Sequence, residues 1–137
     1  MRVFVDANVP MYAAGRDHAF KAPSARFMLA VARRRVDAVS DVEVLQEILH
    51  RYAAVRRPSV GFVVFESFAS AMPVVYPVVI EDLWECRAIL KDYGDFRPRD
   101  AIHAAVMRRV GVRTIVSYDR HFDGIDGIDR VTPDAVS

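Results

Sequence analysis

The stretch Arg97 to Phe122, RPRDAIHAAVMRRVGVRTIVSYDRHF, constrains the fold of this chain more than any other. Pro98 suits the first position of a helix, and Asp100 then lies in the first turn, where a carboxylate meets the positive end of the helix dipole. Ala101, Ile102, Ala104, Ala105, Val106 and Val110 give that helix a packed face, and Gly111 can end it. Thr114-Ile115-Val116 is a short β-branched run of the kind that fills a parallel sheet. Asp119 follows directly, at the strand end where open α/β sheets carry their chemistry. One contiguous segment thus offers two carboxylates at element ends.

The rest of the chain repeats the strand–helix alternation. Arg2 to Val5 reads as an apolar strand ending at Asp6, and Asp6-Ala7-Asn8 opens a short helical piece through Tyr12. Helical spacing runs over Ser24 to Arg35, closing on an arginine triplet that reads as a solvated helix end. A second strand is expected over Val36 to Val39, with Ser40 or Asp41 capping a helix from Val42 to Ala54. Another helix spans Ser59 to Ala71. Pro73 to Ile80 reads as an edge strand because Pro77 interrupts it. A helix from Glu81 to Tyr93 precedes the opening segment, and a last strand lies near Ile128 to Val131. With no repeat, low-complexity tract or second domain in 137 residues, the expectation is a single α/β domain over 1–137, a parallel sheet with helices on both faces.

Composition removes several classes of function. The net charge of +1 gives no global basic field, although Lys21 and Lys91 are the only lysines among 19 cations. A lone Cys86 rules out a disulfide framework or a cysteine metal cluster. The opening MRVFVDANV is too short and too acidic for a secretion signal, and no apolar run could span a membrane, so a cytoplasmic location is expected.

Chemistry concentrates on carboxylates. Asp6 ends the first strand, Asp119 follows the fourth, and Asp100 begins a helix. On the Val42–Ala54 helix, at ~100° per residue, Val42, Val44, Leu45, Ile48, Leu49 and Tyr52 form the apolar face. Glu43 points opposite its centre, whereas Glu47 borders it and is the better candidate. Singly, each aspartate has an ordinary explanation as a cap or turn residue. If the first and fourth strands are neighbours, Asp6 and Asp119 share one crevice. Carboxylates gathered there repel unless protons, an arginine or a divalent cation neutralise them, and an oxygen-only set without cysteine suits Mg²⁺ or Mn²⁺. His103, one turn from Asp100, reads as a packed or hydrogen-bonded histidine rather than a general base. A receiver-like phospho-aspartate domain would need a lysine after a late strand, which is absent; a catalytically silent binding module remains the other alternative.

The segments FVDAN, VLQEIL, RPRDAIHAA and IVSYDRHF together resemble the PIN-domain ribonucleases, specifically the VapC-type toxins of toxin–antitoxin pairs. The resemblance runs nearly end to end, with Pro58 to Asp95 matching only in spacing and helical character. It implies a five-stranded parallel sheet in the order 3-2-1-4-5, and an acidic quartet of Asp6, Glu47, Asp100 and Asp119 that binds Mg²⁺ or Mn²⁺ and cleaves RNA by metal-activated water. Asn8 and Ser117 fit positions that support the carboxylates. Asp123 is an auxiliary possibility, and Glu43 leaves a one-turn ambiguity beside Glu47. Arg97, Arg99, Arg120 and His121 flank the proposed site as candidate phosphate contacts. The resemblance leaves open a housekeeping RNA-processing role in place of a toxin's. Apolar helix surface at Phe20, Phe27, Phe62, Phe65, Phe68 and Trp84 suggests a homodimer and a separate antitoxin protein as partners.

Overall fold

A computed structural model describes residues 1–136 of the chain. Five strands pair in parallel in the order β3-β2-β1-β4-β5. β1 (Val3–Val5) lies at the centre, with Val3 opposite Ala38 of β2 (Ala38–Asp41) on one side and Thr114 of β4 (Thr114–Val116) on the other. β3 (Val74–Tyr76) and β5 (Asp129–Val131) form the two edges. Val3, Phe4 and Val5 are all fully buried. Successive strand residues point to opposite faces, so both faces of the central strand are covered.

Six helices supply that cover: α1 (Asn8–Ala14), α2 (Lys21–Ala32), α3 (Val42–Ala54), α4 (Pro58–Ala71), α5 (Ile80–Asp92) and α6 (Pro98–Val110). They pack largely as neighbours in sequence, α1 on α2, α3 on α4 and α5 on α6. The α3–α4 contact is unusually close. A Cβ at Gly61 would lie 2.7 Å from Tyr52 Cβ, so only glycine lets the two backbones approach this far. α6 begins with Pro98 at its N-terminus and stops at Gly111, whose φ of 75° is left-handed and lets Val112 N–H reach the Met107 carbonyl at 2.9 Å.

α3 and β4 occupy the spans expected from their sequence patterns. β2 starts two residues later than its apolar pattern suggests, and the reason is local. Arg34 takes a left-handed turn, and Arg35 N–H returns to the Ala30 carbonyl, so the chain is still reversing at Val36. The strand then runs into Ser40 and Asp41, both fully buried polar residues. Ser40 Oγ donates to the Val5 carbonyl at 2.9 Å, which satisfies it inside the sheet. The helix expected from Ser24 begins earlier, at Lys21, and ends at Ala32; the three arginines after it are exposed. The edge strand is short, stopping before Pro77, which could not donate to a ladder.

The chain order reverses between β1 and β4. β1, β2 and β3 step away in one direction, and β4 and β5 build on the opposite flank. That arrangement opens a crevice at the carboxyl ends of β1 and β4, the position where doubly wound sheets bind ligands.

Candidate active site

Asp6, Glu47, Asp100 and Asp119 all line one open cleft of about 560 Å³ at that switch point, together with Asn8, Arg97, Tyr12, His18, Arg51 and Tyr118. Asp6 forms its floor and is only 3% exposed. Its Oδ1 accepts the Ala7 N–H at 2.8 Å, and its Oδ2 accepts Ser117 Oγ–H at 2.7 Å and Asn8 Nδ2–H at 3.2 Å. Asn8 also donates to Ser117 Oγ at 3.0 Å and accepts the Tyr118 N–H at 3.2 Å. Ser117 Oγ accepts the Asp119 N–H at 3.0 Å. Asn8 and Ser117 therefore join the end of β1 to the end of β4, fixing the Asp6 carboxylate and the Asp119 backbone. Burial pushes the Asp6 carboxyl up to about 6; His103 and the Ser117 hydroxyl pull the other way, and neighbouring Glu47 and Asp100 add to the rise.

The second wall comes from α6. Asp100 is 5% exposed, and burial, then the charge of Asp119, raises its pKa. Arg97 lies across this pair, with Nε 3.4 Å from Asp100 and Nη2 3.5 Å from Asp119. Glu47 projects from α3 on the far side, 3.9 Å from Arg99. On α3, Glu47 lines the cleft and Glu43 does not, but the helical wheel is only partly followed: Glu43 is half-buried like Glu47, with its carboxyl raised by burial, and Val42 and Leu49 are exposed rather than packed.

His103 is the residue whose surroundings sequence reasoning missed. It is a buried, hydrogen-bonded histidine, as its position suggested, but it lies against the carboxylates themselves. Nδ1–H donates to Asp41 Oδ2 at 2.8 Å, and both side chains are fully buried. Nε2 faces Asp6 Oδ1 and Glu47 Oε1, each 3.8 Å away. Burial opposes a charge on the ring, but Asp41, with Glu47 and Asp6 beyond it, outweighs burial and holds the pKa well above the ordinary value. Asp41 does cap α3, accepting the Val44 N–H at 3.0 Å with Oδ1. Its second oxygen is what binds His103.

The flanking cations divide. Arg97 and Arg99 lie at the acidic cluster, and His121 Nδ1–H donates to Asp119 at 2.8 Å. Arg120 instead lines a neighbouring groove with Phe20, Arg26, Tyr118 and Arg130, because the short 3-10 turn Arg120–Gly124 carries it away from the cleft. Asp123 is likewise outside the cleft. Arg130 binds it in a two-pronged ion pair at 2.7 and 3.2 Å and lowers its pKa.

The donor set fits a divalent cation. Among the described residues, two buried side-chain atoms have no hydrogen-bond partner, Glu47 Oε1 and His103 Nε2, and they face each other. Buried polar atoms ordinarily find partners, so this pair leaves a gap suited to an ion. Asp6, Glu47 and His103 each offer one ligand atom, all within 4.8 Å of one another.

A family profile, that of the PIN domain, matches residues 3–128. The chain belongs to the PIN-domain family. It is 35% identical over 129 residues to the ribonuclease VapC13 of Mycobacterium tuberculosis, covering 94% of this chain and 98% of that one. The ribonuclease VapC23 of the same species is 32% identical over 117 residues, covering 85% and 92%. Among solved structures, Mycobacterium tuberculosis VapC20, a toxin that cleaves the sarcin–ricin loop, superposes with a TM-score of 0.74 at 16% identity over 92% of this chain and 98% of that one. VapBC2 from Rickettsia felis, bound to a promoter DNA fragment, gives 0.74 at 14% identity, over 96% and 98%.

Proposed function

We propose that this chain is a metal-dependent endoribonuclease and the toxin of a VapBC-type toxin–antitoxin pair. The observation that carries the reading is the convergence of Asp6, Glu47, Asp100 and Asp119 on one cleft in a PIN-domain chain. Its similarity to named VapC ribonucleases over nearly its whole length supports the RNA substrate.

Asp6, Glu47, Asp100 and Asp119 would hold Mg²⁺ or Mn²⁺. A divalent cation held there would polarise a phosphoryl oxygen, lower the pKa of an attacking water and stabilise the departing ribose oxygen. The chain's own residues set the stage for that step. Asn8 and Ser117 hold the Asp6 carboxylate, and His121 and Arg97 that of Asp119, a fixed orientation that costs nothing at the moment of reaction. Arg97 and Arg99 lie on the carboxylates and can exchange them for substrate phosphate, for which an arginine fork is well shaped. Tyr12 and Tyr118 line the same cleft and offer aromatic surface to an unstacked base.

The antitoxin partner is supported by the fold's resemblance to solved toxin–antitoxin assemblies. An apolar outer surface supports a homodimer: Phe62, Val63, Ile80 and Trp84 are each more than half exposed. Phe27 and Phe68, in contrast, are buried in the core and contribute nothing to such a surface. No helix among the described residues is long and apolar enough to cross a membrane, which is compatible with the cytoplasmic location an RNA substrate requires.

The deciding experiment is cleavage of assorted RNAs by purified protein with Mg²⁺, with Mn²⁺ and with EDTA. Cutting that needs metal and disappears in Asp6→Asn supports the reading; metal-independent cutting, or none on any RNA, overturns it. Growth arrest on expression, relieved by the neighbouring reading frame, separates a toxin from a housekeeping nuclease.

A further inference from the structure

We propose that His103 is itself a metal ligand through Nε2, with Asp41 orienting it, so that the cation site mixes nitrogen with oxygen. This rests on the reading of the cleft as a nuclease metal centre.

The geometry around Nε2 is that of a missing partner. Its distance to Glu47 Oε1 and to Asp6 Oδ1 is 3.8 Å in each case. That is too long for a hydrogen bond. It is shorter than two metal–ligand bonds of ~2.1 Å placed end to end, so an ion between the pair can reach both atoms. Both unpartnered atoms are buried from water, and an ion held between them would take the place of the Nε2 proton.

The other side of the ring carries the signature of a ligating histidine. Such a ring ordinarily donates its second N–H to a carboxylate, which fixes its orientation and raises its basicity. Here Nδ1–H donates to Asp41 at 2.8 Å. Asp41 is immobilised in turn by the Val44 N–H at 3.0 Å, and Phe4 packs against the imidazole at 5.3 Å between ring centres. His103 cannot turn away without breaking a fully buried contact, so Nε2 is aimed at the carboxylates permanently. An imidazole ligand shifts preference from Mg²⁺ toward Mn²⁺ and the later first-row ions.

The test uses the full chain with exposed His18, His50 and His121 replaced by Gln, which leaves His103 as the sole imidazole of the 4 histidines. The protein and its wild-type parent are loaded with Mn²⁺ and studied by electron spin-echo envelope modulation, which detects a metal-bound imidazole nitrogen. One imidazole ¹⁴N coupling is expected in both. Mn²⁺ is also expected to bind at least tenfold more tightly than Mg²⁺. Asp41→Asn, which keeps an oxygen for the helix cap, should weaken Mn²⁺ binding by roughly 10–100-fold. Bound Mn²⁺ without a nitrogen coupling in the sole-histidine protein overturns the proposal and leaves the nuclease reading intact. No Mn²⁺ uptake by the wild-type chain at millimolar metal overturns both.

Discussion

The carboxyl end of the sheet and the outer faces of α4 and α5 break opposite rules. At the sheet end, Asp6, Asp41, Asp100, His103 and Ser117 are polar groups taken out of water. On α4 and α5, Phe62, Val63, Ile80 and Trp84 are apolar groups left in it. Each departure is costly in an isolated domain, and each would be relieved by a different visitor. The buried charges call for a cation, whereas the exposed aromatics call for protein. Stability alone would have selected neither, so the two regions can be separated by experiment.

The largest expected effect separates them outright. Asp6→Asn should lower RNA cleavage by about 10³-fold or more, an amount in keeping with removal of a group that acts in the transition state. Phe62→Ser should leave cleavage by the isolated protein within about twofold, since it lies outside the cleft. Equal losses in the two variants, measured at saturating metal, would erase the functional distinction between the regions.

A somewhat smaller contrast lies within one helix. Glu47→Gln should reduce cleavage by roughly 10²-fold or more, and Glu43→Gln by only a few-fold, because just one of the two lines the cleft. The reverse order would mean that the catalytic carboxylate is one turn away from where the cleft places it.

The buried charges should also appear in metal-free stability. The Asp6 carboxyl is raised from 3.8 to about 6, so the folded chain keeps a proton that the unfolded chain has already lost. The Asp6 contribution to stability should therefore be greatest below about pH 4 and fall as pH climbs through about 6, by ~3 kcal/mol in total at 1.36 kcal/mol per unit. His103 does not distort this window. Its raised pKa contributes stability that is fully present below its unfolded value of 6.5 and is lost only as pH rises through the higher folded value. Chemical denaturation of EDTA-treated protein at pH 4 and pH 6 gives the slope, and Asp6→Asn should flatten it. A slope unchanged by that substitution would place the strain elsewhere.

The smallest effects concern packing and association. Gly61→Ala should cost about 1–3 kcal/mol, because a Cβ there pushes α4 off Tyr52. Phe62→Ser should change stability by less than ~0.5 kcal/mol while shifting the mass of the pure protein toward monomer in light scattering. A dimer that survives this substitution and Trp84→Ser together would move the interface to another face.

The sequence made much of this legible because the relevant rules are local. Pro98 and Gly111 bracket α6, Asp41 caps α3, and the Thr114–Val116 run fills β4, each by chemistry confined to a few neighbours. The crevice followed from topology, once β1 and β4 were taken as adjacent. What escaped was the bond between Asp41 and His103, 62 residues apart. Asp41 already had a complete local explanation as a cap, and no periodicity reveals what a carboxylate does with its second oxygen. The placement of Arg120 beside the carboxylates went astray for a related reason. It adjoins Asp119 in sequence, but a single 3-10 turn sends neighbours to different grooves. The extension of β2 through Asp41 has the same origin, since Ser40 and Asp41 look like loop residues until the Val5 carbonyl and His103 are beside them.

The bonds from Ser117 and Asn8 that hold Asp6 have a consequence for biosynthesis. Ser117 and Asp6 are 111 residues apart, and β1 finds its β4 partner only after all the residues between them have been made. Asp6 leaves the ribosome long before Ser117 and has neither its hydroxyl donor nor the facing aspartates until the intervening segments have followed. Pairing over so long a stretch is slow compared with the helical hairpins between, which can form as they emerge. An unfinished chain therefore contains the first two carboxylates without a centre to place them in. Cutting power is acquired in one late step, and the interval before it is available for a partner to bind the helices already made.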